Sequence, residues 1–170
     1  MTVRELTAAE VAAHADELLR IQVAAFRIEA EILGHDRIPY LYETVEDITA
    51  PGLRWIADVV EHADPSTVRT GDTGSIDTIA EVRGAVVLAQ RQAGLFVTRV
   101  IVDPAHHRKG VASGLLGQAQ ELGQRLFVIT SQDNPPGIGM YRKAGFARVR
   151  DVEIDTGSIL TEYAWEPAAG

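Results

Sequence analysis

The stretch from Leu95 to Thr130 most constrains the fold, because it predicts a strand, a helix and a second strand in immediate succession. Leu95 to Val102 is an apolar run rich in β-branched residues, and Pro104 follows its end. Apolar residues at helical spacing run from Val111 to Leu122, and a second short apolar run occupies residues 126–130. Two strands joined by a helix predict a parallel pair with a right-handed crossover.

The turn between the first strand and the helix, His107-Arg108-Lys109-Gly110, predicts an anion-binding site. Backbone N–H groups at a helix N-terminus have no intrahelical partner, and the helix dipole is positive there. The turn has neither the GK[ST] of a Walker loop nor the early glycines of GxGxxG. The sequence therefore disfavours nucleotide hydrolysis and dinucleotide binding, and leaves solvation of the basic side chains as the simplest alternative to anion binding.

The rest of the chain predicts elements that fit around this unit. Thr7 and Glu10 form a capping-box pattern ahead of a helix that begins near Ala8, and Asn134 before two prolines predicts another helix start. Strands are predicted at 3–6, 53–60, 79–90, 146–154 and 159–165, a loop with a short helix at 38–48, and a long polar loop at 61–77. These elements predict a mixed α/β fold.

The composition narrows the classes of function. A chain of 170 residues predicts a single domain over 1–170, and a formal charge of −8 disfavours nucleic acid and anionic membranes as partners. The absence of cysteine excludes disulfides and thiolate metal sites, and no metal site is predicted. Without a basic leader or about 18 consecutive apolar residues, the chain is expected to be cytoplasmic.

Two motifs resemble those of the GNAT acyltransferase superfamily. The first is a strand ending in V-x-P followed by Q/R-x-x-G-x-G/A, which corresponds to Val102 to Pro104 and then to the turn from His107 to Ala112. The second is N-x-x-A followed by L-Y-x-K-x-G-F, which corresponds to Asn134 to Gly137 and to Met140 to Phe146. The chain departs from these patterns at two positions, because His107 replaces Gln or Arg and Gly137 replaces Ala.

The resemblance implies the GNAT fold, a central mixed and mostly antiparallel sheet with one splayed parallel pair and about four flanking helices. It implies direct transfer of an acetyl group from acetyl-CoA, the co-substrate, to the primary amine of a small molecule or of a peptide N-terminus. Tyr141 corresponds to the general acid, and Asn134 is expected to contact the pantetheine arm. The residues expected to bind the rest of acetyl-CoA are Val100, Ile101 and Val102 in the strand, and His107, Arg108, Lys109, Gly110, Val111 and Ala112 in the turn.

The sequence does not identify the general base or the residues of the acceptor pocket. Some relatives have a Glu on the strand that corresponds to Leu95–Val102, but this strand has no carboxylate. Glu29 is the first candidate for the base, and His35, Glu43 and Glu81 are the others. Tyr40 and Tyr42 are expected either to line the acceptor pocket or simply to pack. A non-catalytic acyl-CoA-binding or regulatory module is the alternative function, and a homodimer is possible.

Overall fold

The computed structural model describes residues 2–62, 79–154 and 157–169. The strands are β1 (Thr2–Glu5), β2 (Leu53–Glu61), β3 (Ile79–Arg91), β4 (Gly94–Val102), β5 (Leu126–Ser131), β6 (Ala147–Glu153) and β7 (Ile159–Trp165). The helices are α1 (Ala8–Ala13), α2 (Ala15–Leu33), α3 (Val45–Ile48), α4 (Val111–Gln120) and α5 (Pro135–Lys143), with short 3-10 turns at Pro39–Leu41 and Pro104–His106. The predicted mixed α/β fold is confirmed.

The seven strands form one sheet in the order β1-β2-β3-β4-β5-β7-β6. Every neighbouring pair is antiparallel except β4 and β5, which are parallel as the strand–helix–strand pattern predicts. The last strand of the chain, β7, pairs with both β5 and β6. The strand before it, β6, therefore lies at the edge of the sheet.

The parallel pair of β4 and β5 is short and then splays. Its register joins only Leu95 to Leu126 and Phe96 to Phe127. Directly beyond that point, Thr98 is an extra residue in β4, because the register with β3 shifts between Val87 and Leu88. A bulge bends and twists the strand that contains it, which accounts for the divergence of β4 from β5.

The sheet carries a separate apolar core on each face. Leu18 and Ile21 of α2 pack with Val87 on one face, and Leu115 of α4 packs with Val86 on the other. All five of these side chains are fully buried. A strand covered on both faces is apolar at consecutive positions instead of alternating, which explains the continuous apolar run in β3.

The predictions for 53–60, for the first helix and for 61–77 have different outcomes. The apolar run at 53–60 is strand β2, as predicted. The helix predicted from Ala8 is divided at His14 into α1 and α2. The polar loop predicted at 61–77 lies outside the described residues apart from Glu61 and His62. In the part of the chain that is described, no helix has the length and apolar character to cross a membrane.

Candidate active site

A cavity of about 430 Å³ occupies the gap where β4 and β5 diverge. Its walls come from α2, the 3-10 turn at 39–41, the two splayed strands, α5 and the residues that flank the β6–β7 connection. Six of the residues predicted from the sequence as site residues or candidate bases line it: Glu29, His35, Tyr40, Val100, Asn134 and Tyr141. The fold therefore gathers residues from both halves of the chain around one space.

Tyr141 lies on α5 and is buried in the cavity wall. Its side chain is 6% exposed and packs edge-on against Phe146 with ring centroids 5.5 Å apart. Burial raises the pKa of the Tyr141 hydroxyl well above its ordinary value, and the negative charge of Glu29 raises it further. The hydroxyl therefore keeps its proton at neutral pH and is able to donate it in a hydrogen bond.

Glu29 lies on α2 and is half-buried in the cavity wall. Burial raises the pKa of its carboxyl, and a hydrogen bond with Asn134 offsets part of this increase. Among the described residues, no lysine, arginine or histidine forms a salt bridge with Glu29. A desolvated carboxylate without a cationic partner is more basic than a solvated one, so Glu29 is suited to accept a proton.

Asn134 connects Glu29 to the start of α5. Its side-chain carbonyl accepts a hydrogen bond of 3.3 Å from the Gly137 N–H, so the residue is the N-cap of the helix. Its side chain also hydrogen-bonds the Glu29 carboxylate. A Cβ atom at position 137 would lie 2.7 Å from Asn134 Nδ2. Gly137, where the family pattern has Ala, therefore leaves room for the amide to hold this position.

Of the other three candidate bases, one lines the cavity and two lie outside it. His35 lines the cavity, and its Nδ1 accepts a hydrogen bond of 3.2 Å from the Arg37 N–H. Glu43 forms a salt bridge with Arg99. Glu81 lies outside the cavity, on β3, and approaches His106 Nε2 at 2.7 Å. Of the four candidates, only Glu29 and His35 line the cavity.

The two tyrosines expected at the acceptor pocket have different positions. Tyr40 lines the cavity, and its hydroxyl donates a 2.8 Å hydrogen bond to the Thr98 carbonyl at the bulge. Tyr42 is 66% exposed and lies outside the cavity, with its hydroxyl donating to the Asp36 carbonyl at 3.1 Å. Tyr42 therefore does not contribute a wall, because the 3-10 turn directs it to solvent.

Arg99 is a site residue that the sequence interpretation missed. Its guanidinium is buried beneath α2, donates to Gln22 Oε1 at 2.8 Å and pairs with Glu43. The same group lies 4.5 Å from the ring centroid of Tyr40 and 5.6 Å from that of Trp55. The available signal was an arginine inside an otherwise apolar strand, since such a charge is buried only with partners.

The predicted anion-binding turn is exposed at the end of β4. Gly110 is the N-cap of α4 with φ of 77°, and Arg108 is also left-handed with φ of 60°. His107 Nε2 lies 3.3 Å from the Val102 carbonyl. The first N–H groups of α4 have no intrahelical acceptor, so they are available to an anion at this turn.

This chain is similar in sequence to known proteins. The Acetyltransferase (GNAT) family model matches residues 30–146. The UPF0157 protein YqkA of Bacillus subtilis (strain 168) is 27% identical over 156 residues, which is 90% of this chain. The chain spans 40% of the length of that relative.

Three solved structures share the fold at low sequence identity. Apo-form YjaB from Escherichia coli has a TM-score of 0.60 at 16% identity and covers 98% of each chain. PaiA N-acetyltransferase from Thermoplasma acidophilum, solved in complex with coenzyme A, has a TM-score of 0.60 at 12% identity, covering 97% of this chain and 100% of its own. A chimera of spermidine N-acetyltransferase SpeG from Vibrio cholerae has a TM-score of 0.55 at 16% identity, covering 96% and 94%. Since the family model covers most of the chain, this protein belongs to the GNAT acetyltransferase family.

Proposed function

We propose that residues 1–170 form a single N-acetyltransferase domain that transfers the acetyl group of acetyl-CoA directly to a primary amine. The acceptor is a small molecule or a peptide N-terminus. The observation that carries this proposal is the convergence of Glu29, Asn134 and Tyr141 in the cavity between the splayed strands. The coenzyme A bound to PaiA, a protein of the same fold, supports acetyl-CoA as the co-substrate.

Acetyl-CoA is proposed to bind along the cavity-facing edge of β4. From Val100 to Val102 this strand pairs with β3 but not with β5, so its backbone on the open side is free to meet the pantetheine amides. The exposed turn beyond it, with the N-terminus of α4, is suited to the pyrophosphate. The turn residues proposed for this role are His107, Arg108, Lys109, Gly110, Val111 and Ala112.

Glu29 is proposed as the general base. A primary amine with a pKa near 10 is mostly protonated at pH 7, so a proton must leave before attack. Glu29 accepts it, directly or through one water, and Asn134 holds the carboxylate in place. The amine nitrogen then bonds to the thioester carbon, the carbon–sulfur bond breaks to release the thiolate of CoA, and the nitrogen loses its second proton to solvent to give the neutral amide.

Tyr141 is proposed at the general-acid position, where it stabilises the departing sulfur. Its hydroxyl has a pKa well above its ordinary value, whereas a thiol titrates near 8.5. Full transfer of the phenol proton to the thiolate is therefore unfavourable. Tyr141 instead donates a hydrogen bond while charge develops on sulfur, and the released thiolate takes its proton from solvent.

The test compares Tyr141→Phe with Tyr42→Phe, which makes the same chemical change outside the cavity. Thiol release from acetyl-CoA is measured across a panel of primary amines, and CoA affinity by calorimetry. Tyr141→Phe is expected to lower kcat by about 10² with little change in CoA affinity, and Tyr42→Phe to leave both unchanged. An unchanged kcat removes Tyr141 from this role. Tight CoA binding without turnover on any amine supports the non-catalytic module instead.

A further inference from the structure

We propose that the acceptor is a primary monoamine attached to an apolar body, and that it carries no carboxylate next to the amine. This inference rests on the proposed function, since it names the acceptor class of the same cavity. Three features of the cavity support it: apolar side chains left exposed on its walls, the half-buried carboxylate of Glu29, and, among the described residues, a second carboxylate only at the solvent-exposed Asp133.

The walls expose apolar carbon that the protein itself does not cover. Ile129 and Ile154 line the cavity with relative exposures of 36% and 37%, although large aliphatic side chains are usually buried. Leu160 of β7 and Leu33 of α2 line the same space. A ligand with an apolar body would remove this surface from water, which is a favourable process in proportion to the area covered.

The charges on the walls favour one ammonium group. Glu29 and Asp133 are the carboxylates that line the cavity among the described residues, and Asp133 is exposed in the loop before α5. Arg99 is already neutralised by Glu43. Arg37 also lines the cavity and has no salt-bridge partner in the described part of the chain. The second ammonium group of a polyamine would therefore meet Arg37, an apolar wall or the solvent-exposed Asp133, whose charge is screened by water.

The position of Glu29 also disfavours α-amino acids. An amine placed against this carboxylate would bring a carboxylate on the adjacent carbon within a few ångströms of it. Like charges at that distance repel strongly in a half-buried site. Arg37, which has no salt-bridge partner in the described part of the chain, is exposed to solvent, so its attraction for such a carboxylate is screened by water.

The first experiment measures kcat/KM by thiol release for three acceptors with the full chain: 2-phenylethylamine, phenylalanine and spermidine. We expect 2-phenylethylamine to exceed the other two by at least about tenfold, equivalent to 1.4 kcal/mol. An equal or higher kcat/KM for spermidine or phenylalanine overturns the monoamine inference while the acetyltransferase function stands. No release with any amine overturns the proposed function, and the inference with it.

The second experiment uses two isoleucines as a matched pair. Ile154→Ser alters the cavity wall, and Ile159→Ser makes the same change on β7 at a residue that is 43% exposed and does not line the cavity. Losing roughly 40 Å² of apolar contact should raise the KM for 2-phenylethylamine about fivefold in Ile154→Ser. The KM for acetyl-CoA should stay unchanged in both variants. An equal KM for 2-phenylethylamine in the two variants overturns the assignment of this wall.

Discussion

Replacement of Gly84 by alanine tests how closely β3, β4 and α4 must approach each other. A Cβ atom at Gly84 would lie 2.7 Å from the Ile101 carbonyl oxygen and 2.9 Å from Val111 Cγ1. Ordinary contacts begin near 3.4 Å. The carbonyl belongs to the backbone of β4 and cannot yield without moving the strand. Val111 Cγ1 can move only if the side chain leaves the χ1 rotamer that valine strongly prefers in a helix.

The expected loss of stability follows from these distances. Overpacking a well-ordered core costs about 1–3 kcal/mol, and the lower entropy of alanine in the unfolded chain returns about 0.5–1 kcal/mol. Because both distances lie below 3.0 Å, the cost falls in the upper part of that range, about 2–3 kcal/mol, and the net loss is about 1–2.5 kcal/mol. For a chain of this size, this corresponds to a decrease in Tm of about 2–10 °C. CoA affinity should fall as well, because Val111 begins the helix that is proposed to hold the pyrophosphate.

The assay is thermal unfolding followed by calorimetric titration with CoA. Gly117→Ala is the control, because this residue lies inside α4 and its added Cβ would meet nothing within 4 Å. The control should gain about 1 kcal/mol of stability from helix propensity and keep its CoA affinity. A Gly84→Ala protein with the stability and CoA affinity of the original chain would refute the reasoning.

Three further predictions concern buried groups. The raised pKa of Glu29 means that its ionisation opposes folding, so Glu29→Gln should raise Tm at pH 7, and the gain should vanish below about pH 4. A gain independent of pH would contradict this. Asp58→Asn leaves the buried Arg83 without its anionic partner and should cost about 3 kcal/mol in urea unfolding; an unchanged midpoint would exclude the pair as a stabilising element. Gly137→Ala should displace the Asn134 amide from Glu29 and lower kcat, with a change in stability below about 1 kcal/mol, so wild-type kcat with unaltered stability would count against it.

Local patterns in the sequence were sufficient to predict most of the helices and strands. The Thr7–Glu10 capping box and the Asn134 N-cap form as predicted, because each depends on hydrogen bonds within three residues. The strand–helix–strand unit from Leu95 to Thr130 likewise forms where the pattern places it. Its parallel pairing follows from the length of the crossover and from the handedness of polypeptide connections.

Other features depended on contacts between distant segments. Tyr40 and Tyr42 are equivalent in the sequence, but only Tyr40 enters the cavity, because its hydroxyl reaches the carbonyl of Thr98. Arg99 is accommodated in an apolar strand because Glu43, far away along the chain, pairs with it. Hydrophobic periodicity describes neighbours within one helix or strand, so it cannot show that Glu43 will pair with Arg99.

Short-range hydrogen bonding and apolar periodicity encode the order of the elements, the βαβ unit and the two motifs that resemble the GNAT family, so these features could be predicted from the sequence. Which carboxylate faces the cavity, and what surrounds it, depends on tertiary packing. Glu29 acquires its environment from α2 packing over the splay of β4 and β5 and from the amide of Asn134. Burial and a hydrogen bond, not residue type, distinguish it from the other candidate carboxylates, and both arise only when remote segments pack together.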